Sequence, residues 1–409
     1  MRNKNIKKVV LAYSGGLDTS AIIPWIKENY SSEVIAFVAN VGQNQADLKD
    51  IEYKALKSGA SQCIIKDLRE EFIRDYVYPV LKSGALYEEN YLLGTALARP
   101  IIAKSQVDLA LKLKADGVCH GATGKGNDQV RFETAYVGLA PELKIIAPWR
   151  EWSFKSRGEL LSYLKEKNVK TTASIEKIYS KDENAWHVST EGGVLEDLWN
   201  KPNQDCWTWT NDPKDAPNVP EIISIKIKNG SVIAVNNEFL SPFKCLEKLN
   251  LVGIKHGIGR IDVVENRLVG MKSRACYETP GGTILVNALR SLEQLVLDRD
   301  SYKWRQQIAL EMSYVIYNGN WFSPFRKSLQ AAATELATEI DGEVILELYK
   351  GTVTAIRKFS PNSLYSKEFA TFDQDEVYRQ SDADGFIKLY SLPSKIRAIN
   401  KCMNKALMK

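Results

Sequence analysis

Lys8-Val9-Val10-Leu11-Ala12-Tyr13-Ser14-Gly15-Gly16-Leu17-Asp18-Thr19-Ser20 runs from a short apolar stretch into a glycine pair flanked by hydroxyls. Lys8–Tyr13 reads as a buried strand, and Thr19–Tyr30 as a helix that Pro24 should kink or confine to its start. Between them, two successive glycines allow φ > 0 and let backbone amides approach a ligand closely. A helix beginning right after such a turn offers unpaired N–H groups and a partial positive charge to an anion. Ser14, Thr19 and Ser20 add hydroxyls. No lysine stands where G-x-x-x-x-G-K-[ST], the loop of γ-phosphate-transferring enzymes, has one. A lysine-free loop suits the holding of a whole pyrophosphate as leaving group, with attack at the α-phosphorus. The plainer alternative is a strand-to-helix turn in which Asp18 or Thr19 merely caps the helix.

Downstream, Glu33–Asn40 is expected as a second strand, Ala46–Ser58 as an amphipathic helix stopped by Gly59, and Gln62–Ile65 as a third strand. Helical segments over about 67–82 and 95–115 precede short strands near Gly117–His120 and Lys144–Ala147. Strands separated by helices predict an α/β fold with a parallel sheet covered on both faces. Ligands of such sheets bind beyond the carboxyl ends of the strands. The loops at 14–20 and 121–128 both follow strands, so they are expected to meet there.

Beyond residue 170 the character changes. Glu221–Val235 alternates around Asn229-Gly230, a hairpin signal. Ser241-Pro242 opens a helix that ends before Gly257. Thr283–Tyr317 is mostly helical, and Glu343–Phe359 reads as a hairpin turning at Lys350-Gly351. Hairpins mixed with helices predict an α+β second domain. Near the end, Ile396, Ile399, Met403 and Leu407 recur at helical spacing among lysines, a stripe that should dock on something. The expected division is 1–170, 171–384 and 385–409.

At 409 residues the chain has room for about two domains of roughly 100–200 residues. Its 55 Lys and Arg against 50 Asp and Glu leave +5, too little to argue for a nucleic-acid partner. Six cysteines without a CxxC, and only three histidines, argue against structural zinc and suit thiols in a reducing cytosol. The basic start at Met1–Lys4 leads into an apolar run too short for a signal peptide. No run of about 18 apolar residues offers a membrane span, so a cytoplasmic location is expected. Asp373, Asp375 and Glu376 read as solvated surface, and Trp207 with Trp209 as cover for a hairpin.

The opening loop resembles the PP-loop of the N-type ATP pyrophosphatases. AYSGGLDTS, YLLGTALARP, HGATGKGNDQVRFE, GRIDVVENR, GMKSRACYETPGGT and YNGNWFSP follow one another in order. Together they resemble the argininosuccinate synthase family over nearly the full length. That resemblance implies an adenine nucleotide α-hydrolase-like ATP-binding domain, an α+β synthetase domain and a C-terminal oligomerisation helix. It implies ATP, carried with Mg2+, at Ala12, Tyr13, Ser14, Gly15, Gly16, Leu17, Asp18, Thr19, Ser20, Ala39 and Gly121. Citrulline falls to Tyr91, Thr95, Ala96, Asn127, Arg131, Ser180, Ser189, Glu265 and Tyr277, and aspartate to Thr123, Asn127 and Asp128. Some relatives have Ser where this chain has Ala96, so a contact there must come from backbone or from Thr95.

By itself, His120–Glu133 is a pliable glycine-rich loop made anion-friendly by Lys125 and Arg131. Carboxylates of two amino acids are natural guests for its arginine and amide groups. His187 reads as a packed or hydrogen-bonded histidine rather than a general base. The family reaction implied is the ATP-driven condensation of citrulline with aspartate in arginine biosynthesis, by a homotetramer. The alternatives are a PP-loop tRNA-modifying enzyme and a nucleotide-binding regulatory protein without turnover. Thiolation of tRNA calls for a reactive cysteine pair, which no spacing in this chain suggests.

Overall fold

The apolar run after Lys7 forms a strand, β1 (Lys8–Ala12), with Val9, Val10 and Leu11 closed to solvent. The structure is a computed structural model that describes residues 6–44, 48–124, 126–169, 179–371, 377 and 379–407. A strand apolar on both faces belongs in the middle of a parallel sheet. β1 is the third of five parallel strands in the order β3-β2-β1-β4-β5. Its neighbours are β2 (Glu33–Asn40), β3 (Gln62–Asp67), β4 (Gly117–Cys119) and β5 (Lys144–Ile146). Strand order reverses between β1 and β4. At such a switch point the loops leaving adjacent strands diverge and open a crevice.

Among the described residues this half includes the helices α1 (Leu17–Tyr30), α2 (Ile51–Lys57), α3 (Arg69–Glu71, a π-turn at Phe72–Val77, then Tyr78–Ser83), α4 (Gly94–Lys112), α5 (Asp128–Leu139) and α6 (Arg157–Glu166). Pro24 sits inside α1 rather than limiting it. Ile22, Ile23, Trp25 and Ile26 around it are fully or nearly fully buried. Their burial offsets the roughly 3 kcal/mol that an interior proline costs. Within the second expected helix, the described residues include α2 over Ile51–Lys57, and Gly59 follows it at φ +102°. Ala46 itself, Lys125, the expected boundary at 170/171, Asp373, Asp375 and Glu376 lie outside the described residues.

The later chain builds two antiparallel sheets. One has the order β10-β9-β8-β13-β14, from β8 (Glu221–Lys228), β9 (Ser231–Val235), β10 (Glu238–Phe239), β13 (Gly342–Tyr349) and β14 (Thr352–Phe359). Its tight turns at Asn229-Gly230, Asn236-Asn237 and Lys350-Gly351 each carry positive φ at two residues, which matches the twist of the flanking strands. Ile223, Ile225 and Ile227 face the core with Val344, Leu346 and Leu348. Helices α7 (Pro242–Lys255), capped by Ser241, and α8 (Pro280–Val296) cover this sheet. Helices α9 (Arg299–Tyr317) and α10 (Pro324–Leu336) follow. The other sheet has the order β11-β12-β7-β6, from β6 (Tyr179–Glu183), β7 (Val188–Gly192), β11 (Arg260–Asn266) and β12 (Lys272–Glu278). Trp207 packs with Leu195, Cys206 and Cys276 and under the Arg260 guanidinium, so it covers this sheet.

The chain divides into two compact units, residues 1–362 and 363–409. The second comprises α11 (Lys367–Ala370), α12 (Asp382–Tyr390) and α13 (Leu392–Leu407). No described helix is long and apolar enough to cross a membrane.

Candidate active site

Gly16 is the N-cap of α1 and no side chain caps its first turn, so neither Asp18 nor Thr19 serves as cap. The leading amides are thus left for another acceptor. Gly15 takes φ +73°, and a Cβ there would come 3.1 Å from Ile51. Hydroxyls line the turn: Ser14 Oγ lies 3.1 Å from Thr19 Oγ1, and the Tyr13 hydroxyl 3.1 Å from Ser20 Oγ. Tyr13 N donates to Phe37 O, extending the β1–β2 ladder to the sheet's carboxyl edge, where Ala39 ends up nearly buried. Leu17 is buried below the loop. Burial pushes the Asp18 carboxyl up, against the pull of Arg157.

The loop after β4 meets this one, as expected. A Cβ on Gly121 would stand 2.9 Å from Thr19 Cγ2. His120, fully buried, accepts at Nδ1 from Ala122 N (3.2 Å), so its other nitrogen donates to Glu133 Oε1 (3.0 Å). Gly126 N donates to Thr123 O, closing the turn and leaving Thr123 exposed. α5 then starts at Asp128, bringing Asn127, Asp128 and Arg131 to one place.

A polar network spreads from there. Asp128 accepts from Arg99 Nε and from Arg131 Nη1, each at 2.9 Å. Burial alone would raise this carboxyl, but Arg99 and Arg131 together hold it below the usual range. Arg99 also donates to Asp182 Oδ1 (2.9 Å). Arg131 donates to Tyr317 O (2.9 Å) and lies over the Tyr317 ring. The Asn127 amide bridges the Tyr317 hydroxyl and Leu268 N, both at 2.9 Å. Glu265, buried, accepts from the hydroxyls of Tyr317 (2.7 Å) and Tyr277 (3.1 Å). Burial raises its carboxyl, opposed by those two bonds.

The four-stranded sheet explains why distant residues converge. Directly paired residues share a face, and so do residues two apart along a strand. Asp182 pairs with Ser189, which pairs with Tyr277; Ser180 pairs with Glu191, which pairs with Ala275. Ser180, Asp182, Ser189, Glu191 and Tyr277 therefore line one polar face, and Glu265 joins it through Tyr277. Ser180 is exposed there and Ser189 buried. Tyr91 stacks on Tyr277 at 4.3 Å, and its hydroxyl accepts from Thr95 N (2.9 Å) at the start of α4. Ala96 is buried behind Thr95. Thr95 Oγ1 donates to Asp182 Oδ2 (2.8 Å).

Sequence reasoning passed over Arg99, Asp182 and Tyr317. Arg99 and Tyr317 lay inside the quoted blocks YLLGTALARP and YNGNWFSP, and Asp182 stands two residues from Ser180; a charged residue in a near-apolar helix start was the available signal. Among the described residues no group of three or more His, Cys, Asp or Glu is arranged to hold a metal.

The family model described as "Arginosuccinate synthase N-terminal HUP domain" matches residues 8–170, and "Arginosuccinate synthase C-terminal domain" matches residues 179–397. The chain belongs to the argininosuccinate synthase family. It is 70% identical over 406 residues to the argininosuccinate synthase of Serratia proteamaculans (strain 568), covering 99% of this chain and 100% of that one. It is 69% identical to that of Erwinia tasmaniensis, over 98% of this chain and all of the other. Against that of Buchnera aphidicola subsp. Acyrthosiphon pisum (strain Tuc7) the identity is 68%, over 98% and 99%. A solved structure of U34-tRNA thiolase NcsA from Methanococcus maripaludis matches at 19% identity and a TM-score of 0.27, over 42% of this chain and 60% of that one, too slight a likeness to carry argument.

Proposed function

We propose that this chain condenses L-citrulline with L-aspartate to give argininosuccinate, a step of arginine biosynthesis. The ureido oxygen of citrulline attacks the α-phosphorus of ATP, which enters with Mg2+ on its phosphates, and pyrophosphate leaves. The amine of aspartate then attacks the ureido carbon of citrullyl-AMP, and AMP departs with the ureido oxygen. A ureido carbonyl is a poor electrophile until its oxygen becomes a leaving group, which is why ATP is spent. No side-chain nucleophile takes part; orientation and stabilisation of charge on the leaving pyrophosphate carry the rate.

One observation carries this reading in a member of the family. An uncapped helix start in a lysine-free loop lies beside a second loop whose residues run, through Asp128 and Arg131, into the polar face of the four-stranded sheet. By similarity, ATP falls to Ala12–Ser20, Ala39 and Gly121; the open first turn of α1 supports the pyrophosphate end of that assignment. Citrulline falls to Tyr91, Thr95, Ala96, Asn127, Arg131, Ser180, Ser189, Glu265 and Tyr277. Their gathering around one network supports it, although the Thr95 hydroxyl proton is already given to Asp182 and the Thr95 N–H to Tyr91, which favours a backbone contact at Ala96. Aspartate falls to Thr123, Asn127 and Asp128. A carboxylate only accepts, so Asp128 suits the ammonium of a substrate, and Arg131 its carboxylate. The ATP-binding domain spans 1–170, the synthetase domain 171–384 and an oligomerisation tail 385–409, in a cytoplasmic homotetramer. The two family matches, at 8–170 and 179–397, support the first boundary.

Among the described residues the tRNA-thiolating alternative finds no reactive cysteine pair. Cys206 and Cys276 pack together but are buried, and burial pushes the Cys276 thiol up to about 12. The test is release of AMP and pyrophosphate with citrulline and aspartate supplied singly and together. Product formation that requires both amino acids is expected. Release that depends on tRNA, or none under any condition, overturns the reading.

A further inference from the structure

His187 stands at the centre of the network, yet nothing assigned so far uses it. Its ring is fully buried between α4 and the polar face of the four-stranded sheet, 5.9 Å from the Tyr277 ring and 6.1 Å from the Tyr91 ring. The chain around it is fastened to the start of α4. Asn184 Oδ1 accepts from the backbone N of Trp186 and of His187, and Asn184 Nδ2 donates to Gly94 O (3.2 Å). Trp186 Nε1 donates to Leu92 O (2.9 Å). A Cβ on Gly94 would fall 2.2 Å from the imidazole Cγ and Cδ2, so only glycine lets the ring stand against this first turn. Just before it, Leu93 takes φ +61°, a strained value for a side-chain-bearing residue, held by this packing.

The proton positions follow from the partners. Thr95 Oγ1 lies 2.8 Å from Asp182 Oδ2 and 3.1 Å from His187 Nε2. A carboxylate only accepts, so the single hydroxyl proton of Thr95 points to Asp182, and toward His187 the hydroxyl is the acceptor. Nε2 therefore carries hydrogen. Nδ1 is buried without a partner. A proton there would be an orphaned donor, so Nδ1 is the bare nitrogen of a neutral ring. The charged and titratable groups facing the ring are Asp182, with Oδ2 4.0 Å from Nε2, Arg99, Asp128, Tyr91 and Tyr277. Burial outweighs the carboxylates, and the ring's pKa falls to about 4.

We infer that His187 is a positioning residue, whose Nε2–H fixes the Thr95 hydroxyl so that Thr95 and Arg99, one helical turn apart, grip the two oxygens of Asp182. The inference deepens the reading of the site given above and rests on it. Asp182 Oδ2 takes Thr95 and Oδ1 takes Arg99; Arg99 in turn holds Asp128, and Asp128 holds Arg131. Four charged side chains from α4, α5 and β6 are thereby set in one arrangement before any amino acid arrives. His187 takes no proton from substrate, because one nitrogen is already protonated and the other is shut in.

Three measurements on the full chain test this. With only three histidines, His120, His187 and His256, the ring nitrogen signals are assignable by nuclear magnetic resonance. His187 is expected as the neutral Nε2–H tautomer, unchanged from pH 8 to about pH 5.5, since its pKa lies near 4. An Nδ1–H tautomer, or titration near pH 6–7, overturns the inference whatever the enzyme's activity. In steady state, His187→Gln, whose amide N–H replaces Nε2–H, keeps KM for both amino acids within about threefold. His187→Leu keeps volume but loses the donor and raises KM about tenfold or more, and adds little on top of Thr95→Val. The acid limb of the kcat/KM profile is the same in wild type and His187→Gln. Loss of that limb with abolished turnover would make His187 a base, and a His187→Leu enzyme with wild-type KM would leave it no role. A wild-type protein inactive with citrulline and aspartate fails the functional reading instead, while the tautomer still decides the role of the ring.

Discussion

Ser14 and Gly15 sit side by side in the first loop but answer to different physics. Gly15 holds φ +73° with Ile51 close by, so Gly15→Ala strains the backbone and confuses folding with turnover. Ser14 is exposed and bonded only within its loop, so Ser14→Ala removes a hydroxyl at little structural cost. Turnover is expected to fall about 100-fold, the scale of one lost donor to a developing anion, with the melting temperature nearly unchanged. Wild-type turnover in that variant removes the loop hydroxyl from the chemistry. Asp128→Asn leaves Arg99 and Arg131 one negative charge short, and KM for aspartate is expected to rise more than that for citrulline. The reverse ratio would place aspartate elsewhere. His187 adds a pH dependence of stability. Its folded pKa, about 4, lies below the ordinary 6.5, so its contribution is complete above pH 6.5 and is lost as pH falls toward 4. The loss is on the order of 3 kcal/mol for a fully buried ring. Thermal melts of wild type and His187→Gln should therefore converge as pH drops through that window, and parallel curves would contradict the neutral buried ring.

Two loops meeting at a strand-order reversal form the smallest unit that works here, and their fit rests on one missing methyl group. Gly121→Ala sets a Cβ 2.9 Å from Thr19 Cγ2 and forces the loops after β1 and β4 apart. Turnover should drop roughly tenfold or more while the sheet stays intact, since about 1 Å of misplacement costs up to 100-fold. Thr19→Ser keeps the hydroxyl and deletes that methyl, so the double variant is expected to recover most of the loss; a purely additive double variant would mean that the contact does not govern the loops. The same elements show what a sequence displays. β1, the glycine pair and the hairpins at Asn229-Gly230 and Lys350-Gly351 declare themselves because their causes are local. The four-stranded sheet does not. β6 reads YSKDE and β7 VSTEG, polar strands whose inner face carries residues proposed for the site, so the alternation that marks a strand over a core is missing. That Ser180, Ser189, Glu265 and Tyr277 come together on one face was suggested only by family resemblance. The link from Arg99 to Asp182, 83 residues apart, leaves no local trace at all.

At the scale of the molecule, the question is what the second unit is for. Among the described residues the apolar clusters lie within residues 1–362, and so do Tyr317 and every residue proposed to touch substrate. Residues 363–409 show the opposite pattern. Phe386, Leu389 and Tyr390 on α12, and Ile396, Ile399 and Met403 on α13, are each about half or more exposed. Ile396, Ile399 and Met403 fall on one stripe of α13; the Leu407 side chain, expected to continue it, lies outside the described residues. An apolar stripe of this size left in water is costly at about 25 cal/mol per Å², and the proposed homotetramer would bury it against a second copy of the chain. Light scattering on the full chain is expected to give four copies, and a chain ending at Asn362 fewer, with its own melting transition kept because its core is complete. Ile396→Glu with Met403→Glu in the full chain repeats the test without deleting anything, since charges on that stripe cannot be buried unpaired. If both variants keep the wild-type mass, the stripe does not join copies, and the tetramer must be held by the first unit alone.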